Sequence, residues 1–304
     1  MDRLGRSRQA ARVYRNALAA APPEEQLSPE LRKHLATARA VVARNAEELD
    51  LHLQPALEAV HARWREADGE RFEACKEALL GRKKIYNQQP TMLHFPGLPA
   101  IQFYREQEFP WLAELEAHTA EIREELLRVV GPEAGFRPYV QHPAGVPLNQ
   151  WAELNHSPRW SAYFVWEDGN RQAQHCAECP RTAEIVERMP LAKIPGYAPA
   201  VFFSVLEPHT RIPPHTGVTN IRLIVHLPLI VPEGCRFRVG NDTRDVVPGK
   251  AWVFDDTIEH EAWNDSGKAR IVLIFDIWNP LLTPMERELA STLLREMQSY
   301  YAVG

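Results

Sequence analysis

The sequence predicts a mainly β domain, a sandwich or jelly roll with flanking helices, preceded by an α-helical N-terminal region. Two observations support this prediction. Only four of the 25 prolines fall within residues 1–80, which also hold 17 alanines, a composition that helices tolerate. From about residue 90 the chain changes to β-branched and aromatic runs cut by Pro, Gly, Asn and Asp, the pattern of strands and turns. We therefore expect two domains, residues 1–85 and 86–304.

The N-terminal region is expected to form three helices. The first runs from Gln9 to Ala21, and the second follows an N-cap at Ser28 with Pro29 in its first turn. Residues 9–22 resemble the second helix of a tetratricopeptide repeat, but no second copy follows at the required period. We expect a helical cap or degenerate repeat-like helices. The third helix is expected from about Pro55 to Leu80, with a buried side that includes Leu57, Val60, Trp64, Phe72, Ala74 and Leu79.

The rest of the chain is expected to consist mainly of short strands. Segments rich in Val, Ile, Phe and Trp alternate with turn signals such as Glu233-Gly234 and Asn264-Asp265-Ser266-Gly267. Strands at this density without helices between them are typical of a sandwich or jelly roll. A helix from about Pro284 to Tyr300 is expected to close the domain. The predicted strands are Trp160–Trp166, Ala200–Leu206, Asn220–Val231, Arg236–Val239, Lys250–Phe254 and Arg270–Trp278.

The composition argues against nucleic acid and membranes as partners. With 35 Lys and Arg against 40 Asp and Glu, the net charge of −5 does not favour a polyanion or an anionic membrane surface. No apolar run approaches the roughly 18 residues of a membrane span. Residues 1–6 lack the apolar core of a secretory signal, and four cysteines are too few for a disulfide scaffold. We therefore expect a cytoplasmic protein.

Two histidines in the β region are candidate metal ligands. His215 follows Pro213-Pro214 at the end of a strand, and His260, 45 residues later, follows the strand Trp252-Val253-Phe254. This spacing is far too long for a helical metal motif but suits two ligands that converge at the mouth of a jelly roll. Non-haem iron oxygenases hold Fe(II) in this way and keep positions open for a co-substrate and O2. The competing interpretation is that each histidine is a polar residue of the rim.

Strand alternation places charged residues on an inner face. Arg222, Ile224 and His226 share one face of their strand, while residues 221, 223, 225 and 227 form the apolar opposite face. Burying an arginine and a histidine without partners is costly, so the pair predicts an anionic ligand inside the barrel.

A second arginine and a serine extend this inner set. Arg270 begins the last strand on the face opposite Ile271, and an arginine there can take a carboxylate through two parallel hydrogen bonds. Ser204, on the strand leading to His215, adds a hydroxyl donor. A structural salt bridge or hydrogen bond is the alternative role for both residues.

Three motifs in the same region belong together. They are Ile212-Pro213-Pro214-His215-Thr216-Gly217-Val218-Thr219-Asn220-Ile221-Arg222-Leu223, Phe254-Asp255-Asp256-Thr257-Ile258-Glu259-His260-Glu261-Ala262-Trp263-Asn264 and Arg270-Ile271-Val272-Leu273. In order and spacing they closely resemble the aspartyl/asparaginyl β-hydroxylase family, in its bacterial form. Upstream blocks such as Phe95-Pro96-Gly97-Leu98-Pro99 extend the resemblance to about residues 86–281.

The resemblance implies a double-stranded β-helix, a cupin-like jelly roll, that works as a dioxygenase. Such enzymes use Fe(II), 2-oxoglutarate and O2 to hydroxylate an unactivated C–H bond, with release of succinate and CO2. Carried over by position, His215 and His260 are the iron ligands. Arg270 and Ser204 hold the distal carboxylate of 2-oxoglutarate, and His226 contacts the carboxylate next to its keto group.

The residue two positions after the first histidine departs from the common iron triad. That triad has a carboxylate there, whereas this chain has Gly217. The resemblance implies that the family generally works with a water in the vacant position. An open position that accepts chloride would instead make the protein a halogenase.

The substrate is less well defined by the sequence than the reaction. Arg222 is expected to face the substrate, at its carboxylate. Family members that act on polypeptide Asp or Asn tend to carry a second arginine two residues later, where this chain has Ile224. We expect the β-carbon of an Asp or Asn residue in a peptide or protein, or a related small acid. An acyl chain, as in related lipid A hydroxylases, is the alternative.

Other interpretations compete for parts of this region. One of Asp255 and Asp256 is expected to orient a ligand imidazole or cap a turn rather than replace the missing carboxylate. Cys176 and Cys179, after His175, lack the four ligands of a structural zinc site and are interpreted as reduced loop thiols. A different class of function is a catalytically idle jelly-roll binding module whose N-terminal helices serve a protein partner.

Overall fold

The chain divides into two compact units, Met1–Ile85 and Tyr86–Gly304. The computed structural model describes residues 6–64, 69–131 and 135–302. The first unit is helical, with α1 at Ser7–Ala19, α2 at Pro29–His61 and α3 at Glu70–Leu79. The start of α2 is as predicted, because the Ser28 hydroxyl accepts a hydrogen bond from the Leu31 amide at 3.2 Å and Pro29 occupies the first turn.

The prediction of a third helix from Pro55 is wrong. Pro55 lies inside α2, and its exposed position lets water satisfy the carbonyl that a proline leaves without a donor. The expected buried side of this segment is also wrong, because Trp64, Phe72 and Leu79 are 67%, 44% and 59% exposed. The predicted helix covers parts of two separate helices, the end of α2 and the whole of α3. Residues 65–68, between these helices, lie outside the described residues.

Two antiparallel sheets form the frame of the second unit. The larger has the order β1 (Arg137–Pro138), β2 (Trp160–Glu167), β4 (Val201–Leu206), β11 (Arg270–Trp278), β6 (Arg222–Ile230) and β9 (Trp252–Phe254), with β3 (Asn170–Arg171) paired to β2. The smaller has the order β5 (Thr210–His215), β10 (His260–Asn264), β7 (Cys235–Val239) and β8 (Asp242–Asp245).

These strands form the double-stranded β-helix, or jelly roll, that the sequence predicts. Counted with β4 as the first, the eight consecutive strands β4–β11 have the order 1-8-3-6 in one sheet and 2-7-4-5 in the other. Each neighbouring pair along this path is antiparallel. Except for β7 and β8, which share a sheet, consecutive strands alternate between the two sheets. The ends of strands that are distant in the sequence therefore lie close together at one open end of the jelly roll.

Helices flank the strands, as predicted, but helices also lie between β3 and β4, which corrects the expectation of strands without intervening helices. α4 (Leu112–Ala117) and α5 (Thr119–Val129) precede β1, whereas α6 (Ala173–Glu178) and α7 (Pro180–Glu187) lie between β3 and β4. Most of them are too short to show the three-turn periodicity on which a helix prediction depends. The closing helix is as predicted, with α8 at Pro284–Ala302. Within the described ranges, every helix is too short or too polar to cross a bilayer.

Side-chain alternation separates two layers of core. Leu223 and Val225 of β6 and Leu273 of β11 pack outward against apolar residues of α5 and α7. Ile224 and Ile274 point inward and pack with residues of the smaller sheet. The predicted division of β6 and β11 into an inner and an outer face is therefore confirmed. The candidate site lies on the inner face.

Candidate active site

Two strands of the smaller sheet bring the predicted iron ligands side by side. His215 ends β5 and His260 begins β10, and the antiparallel register makes them direct partners. Their ring centroids are 4.1 Å apart, with the ring planes at 51°. The pairing of β5 with β10 thus brings together two residues that are 45 positions apart in the sequence.

Both imidazoles are fixed in the tautomer that a metal needs. His215 Nδ1 lies 2.8 Å from the carbonyl oxygen of Pro213, and His260 Nδ1 lies 3.1 Å from that of Ile258. Because a carbonyl oxygen only accepts, each Nδ1 carries the proton and each Nε2 has a lone pair to offer. Burial lowers the pKa of His215, and lowers the pKa of His260 well below its usual value. Neutral, oriented imidazoles suit a divalent metal.

A neighbouring carboxylate fills the space beside the third ligand position. A Cβ at Gly217 would overlap the carboxylate of Asp256, and the Gly217 amide donates to the Asp256 carbonyl oxygen at 2.6 Å. An acid at position 217 therefore does not fit as the chain is built. Across the described part of the chain, no group of three or more His, Cys, Asp and Glu side chains is placed to hold a metal. A metal here would have the two histidines as its protein ligands.

Asp255 and Asp256 have different roles. Asp255 Oδ1 accepts hydrogen bonds from the Thr257 amide at 3.0 Å and the Thr257 hydroxyl at 2.6 Å, which makes it the predicted turn cap. Asp256 turns the other way, towards Arg222, and its Oδ1 is buried without a hydrogen-bond partner among the described residues. Burial raises the pKa of Asp256 to about 7.

Arg270 is a buried cation that has no anionic partner among the described residues. It is 1% exposed, and its Nε has no hydrogen-bond partner among the described residues. Burial lowers the pKa of Arg270 to about 10, and no carboxylate of the described chain offsets that effect. An unpaired buried charge is strongly unfavourable unless a ligand supplies the partner. This end of the interior therefore suits an anionic ligand.

Ser204 and His226 lie on the same inner face, on the strands that flank β11. Ser204 is opposite Val272, two residues from Arg270, and His226 is opposite Ile274, near enough for the charge of Arg270 to act on its imidazole. The Ser204 hydroxyl accepts from Trp160 Nε1 at 3.1 Å, which leaves its own proton to donate elsewhere. The structure thus brings together all three residues that were predicted to hold 2-oxoglutarate.

An aromatic cage keeps His226 neutral. Its ring centroid lies 4.9 Å from that of Phe237, 5.4 Å from Trp252 and 5.0 Å from Phe254. Burial, and then the charge of Arg270, lower its pKa well below the usual value. Its Nδ1 has no hydrogen-bond partner among the described residues. A neutral imidazole can still donate one hydrogen bond to a ligand.

Arg222 is neutralised by carboxylates of the protein itself. It forms an ion pair with Asp276, and its Nη2 lies 3.5 Å from Asp256 Oδ2. Asp276 also accepts from the Ala200 amide at 2.8 Å. Burial alone would lower the pKa of Arg222, but the two carboxylates outweigh burial and raise it. The residue predicted to meet a substrate carboxylate therefore already has anionic partners.

Five aromatic side chains, which we call the aromatic wall, extend from the histidine pair. Trp151 lies nearest, with its ring centroid 5.0 Å from that of His215. Tyr139 stacks on Trp160 at 4.2 Å. Ile224, at the position where the second arginine is usual, is buried among the inner residues. The aromatic wall consists of Tyr139, Trp151, Trp160, Phe164 and Phe202.

Sequence reasoning missed two residues of this interior, Asp276 and Trp252, and one contact, that of Asp256 with Gly217. Asp276 is on the inner face of β11 by the same alternation that placed Arg270 there, so its position was available from the sequence. Trp252 shares the inner face of β9 with Phe254. The contact of Asp256 with Gly217 had no signal in the sequence, because it depends on how two loops approach each other.

A jelly roll that holds two neutral histidines on one sheet and, on the other, an arginine without a carboxylate partner among the described residues has the architecture of a cupin-like domain with a polar site in its interior. The comparison with protein families identifies the family. The chain belongs to the aspartyl/asparaginyl β-hydroxylase family, whose model matches residues 116–280, more than half of the chain.

Individual relatives differ in substrate. The chain is 32% identical over 223 residues to the human aspartyl/asparaginyl β-hydroxylase, an alignment that covers 71% of this chain but 28% of the human protein. It is 36% identical over 191 residues to the ornithine lipid ester-linked acyl 2-hydroxylase of Rhizobium tropici, covering 62% of this chain and 63% of that protein. Among solved structures, the cupin domain of a transcriptional regulator from Enterobacter cloacae matches 26% of this chain and 81% of its own, at 15% identity and a TM-score of 0.24.

Proposed function

We propose that this hydroxylase depends on Fe(II) and 2-oxoglutarate. The observation that supports it most is Arg270, a buried guanidinium that has no carboxylate partner in the described part of the chain and lies in the same interior as the histidine pair. A dicarboxylate supplies the missing charge, and two imidazoles with oriented Nε2 atoms accept the metal. Iron, O2 and 2-oxoglutarate together would supply the oxidation of a C–H bond to an alcohol, with 2-oxoglutarate converted to succinate and CO2.

Each residue of the site has a task in this proposal. His215 and His260 hold the iron through Nε2. Arg270 binds the distal carboxylate of 2-oxoglutarate with two parallel hydrogen bonds, and Ser204 donates its hydroxyl proton to the same end. His226 donates to the carboxylate next to the keto group. The aromatic side chains around these groups exclude water from the reacting atoms.

The substrate is proposed from the charge at the other end of the interior. An Asp or Asn β-carbon is supported by the family and by the name of the human relative. An acyl chain is supported by a specific observation, because Arg222 is neutralised by Asp276 and Asp256, and Ile224 adds an apolar side chain beside it. The Rhizobium relative is named for an acyl substrate. We favour the acyl chain, since an acidic side chain would find Arg222 already paired with Asp276 and would also lie beside Asp256.

Product analysis in air tests the reaction and the substrate together. Protein loaded with Fe(II) and 2-oxoglutarate is given dilauroyl phosphatidylcholine in mixed micelles or a peptide with one Asp and one Asn, and succinate and product mass are recorded. A hydroxylated lipid supports the acyl proposal, and a hydroxylated peptide contradicts it while keeping the reaction. Adding chloride tests the halogenase alternative, which predicts a chlorinated product. If succinate forms but neither the lipid nor the peptide is hydroxylated, the idle binding module is still excluded.

Metal content tests the histidine pair separately from turnover. The His260→Ala variant is expected to lose iron binding and succinate formation together. His118→Ala is a matched control, because that histidine pairs with Glu121 on a part-exposed helix of the same unit. An iron affinity of the His260 variant equal to that of the control would contradict the assignment.

Location and partners belong to the same proposal. Cys75, Cys176, Cys179 and Cys235 are free thiols, which suits a reducing compartment such as the cytoplasm. A protein partner for the helices of the first unit stays a prediction. Cross-linking in cells with a probe placed at exposed Trp64 tests it, and recovery of the chain without a reproducible partner would count against it.

A further inference from the structure

We propose that Trp252 is a further binding residue for the anionic co-substrate, an inference that rests on the proposed function. Its Nε1 is buried and has no hydrogen-bond partner among the described residues, and the whole residue is 7% exposed. A buried indole N–H without an acceptor is unfavourable, and native proteins rarely keep one without a reason. A ligand that enters the interior would supply the acceptor.

The position of Trp252 points to one end of that ligand. β9 pairs with β6 so that Trp252 is directly opposite His226, with ring centroids 5.4 Å apart and ring planes at 51°. The other rings of the cage are Phe237 and Phe254, which have no polar atom. A phenylalanine at position 252 would complete the cage without an unsatisfied donor. The indole N–H is therefore the feature that packing does not explain.

Three nitrogen atoms of this interior have no hydrogen-bond partner among the described residues, and each can act as a donor. Nε1 of Trp252 and Nε of Arg270 are donors, and the neutral ring of His226 can donate from one nitrogen. The matching ligand carries several acceptor oxygens, as a dicarboxylate does. Since Trp252 is the cross-strand neighbour of His226, we assign it to the carboxylate next to the keto group. Arg270 takes the distal carboxylate as proposed above.

Replacing the indole by a ring without N–H tests this role. Trp252→Phe is expected to weaken 2-oxoglutarate binding roughly ten- to a hundredfold, the loss of one hydrogen bond to a charged group. Binding is measured anaerobically, from the visible absorption of the iron-loaded protein. Trp263→Phe is the matched control, because that ring stacks against Arg211 and Arg236 at 5.2 and 5.7 Å and is not part of the cage. Equal affinities of the two variants would overturn the proposal.

A second measurement does not depend on the variant folding. In wild-type protein labelled with nitrogen-15 and loaded with Zn(II) in place of Fe(II), the indole N–H resonance of Trp252 is assigned through bonds. On addition of 2-oxoglutarate it is expected to move downfield, as a new hydrogen bond requires. An unmoved resonance in protein that binds 2-oxoglutarate would overturn the role of Trp252 alone. Wild-type protein that binds no 2-oxoglutarate would overturn the proposed function as well.

Discussion

Arg222 and Arg270 lie on neighbouring strands, β6 and β11, and both face the interior of the jelly roll, yet their electrostatic surroundings are opposite. Arg222 has two carboxylate partners, Asp276 and Asp256, which raise its pKa. Arg270 is almost fully buried and has no carboxylate partner in the described chain, and burial lowers its pKa to about 10. Among the described residues, the Arg270 end of the interior therefore lacks an anion and suits one from outside, whereas the Arg222 end contains its own carboxylates.

This asymmetry bears on which molecule binds where. Two unpaired arginines would suit an anionic co-substrate and an acidic substrate at once. One unpaired and one neutralised arginine suit an anionic co-substrate together with an uncharged reacting segment. The choice of substrate and the binding of the co-substrate therefore both depend on the difference between Arg222 and Arg270. A substitution near one of these arginines should affect its own end of the interior more than the other end.

The largest effect is expected at Arg270. Arg270→Met should weaken 2-oxoglutarate binding by about a hundredfold or more, because a carboxylate would lose its bidentate partner. In the absence of ligand the same variant should be more stable by about 1 kcal/mol or more, since an uncompensated buried charge is removed. Calorimetric titration and urea unfolding measure the two effects. Arg236→Met, at a half-exposed arginine paired with Asp265, is the control, and equal affinities would contradict the assignment.

A change at Asp276 should act on stability with the opposite sign. Asp276→Asn removes the main partner of Arg222 and is expected to lower the free energy of unfolding by about 3 kcal/mol, as when other buried ion pairs are broken. Affinity for 2-oxoglutarate should stay close to that of the wild type. Asp265→Asn, in an exposed pair with Arg236, should cost less than about 1 kcal/mol. If the two variants were equally stable, the neutralised state of Arg222 would be in doubt.

The alternation of strands made one half of this comparison predictable. A period of two is enough to place Arg222, His226 and Arg270 on an inner face, because the opposite face of each strand is uniformly apolar. The pairing of Arg222 with Asp276, 54 residues away, depends on the register between β6 and β11. Register depends on the whole fold, so the sequence motif predicted the position of Arg222 but not its pairing with Asp276.

In the helical unit, local helix propensity predicted the structure less well than strand alternation did in the β domain. Ser28 was predictable as an N-cap because its hydrogen bond is local to the chain. The path of the chain through Pro55 was not, since an exposed proline can stay inside a long helix when water satisfies the freed carbonyl. Exposure of Trp64 and Phe72 also depends on which surfaces meet, and a helical period alone does not contain that information.

A moderate effect is expected at Gly217, on the side of Arg222. Gly217→Ala puts a Cβ into the carboxylate of Asp256, which should lower the free energy of unfolding by about 1–3 kcal/mol, the usual range for overpacking. Gly267→Ala is the control, because no heavy atom lies within 4 Å of the added Cβ. Combination with Asp256→Ala should recover part of the loss in a double-mutant cycle. A Gly217 variant as stable as the Gly267 variant would show that Asp256 moves freely.

The smallest effect is expected at Ser204, on the side of Arg270. Ser204→Ala should weaken 2-oxoglutarate binding by roughly tenfold, the low end of the range for one hydrogen bond to a charged group, because Arg270 holds the same carboxylate. Ser161→Ala is a suitable control, since that buried serine lies on the neighbouring strand opposite Val205, which faces the outer layer of the core. Isothermal titration of both variants checks the prediction. An unchanged affinity of the Ser204 variant would show that the hydroxyl only accepts the hydrogen bond from Trp160 and does not bind 2-oxoglutarate.

Anaerobic titration of the iron-loaded protein with 2-oxoglutarate, followed by visible absorption, is the decisive experiment for co-substrate binding at Arg270. We predict the charge-transfer band of a chelated keto acid in the wild type and in Asp276→Asn, and a band that fails to develop at the same concentrations in Arg270→Met. Wild-type protein that stays colourless, or an Arg270 variant that titrates like the wild type, would contradict the claim that this end of the jelly roll receives the co-substrate.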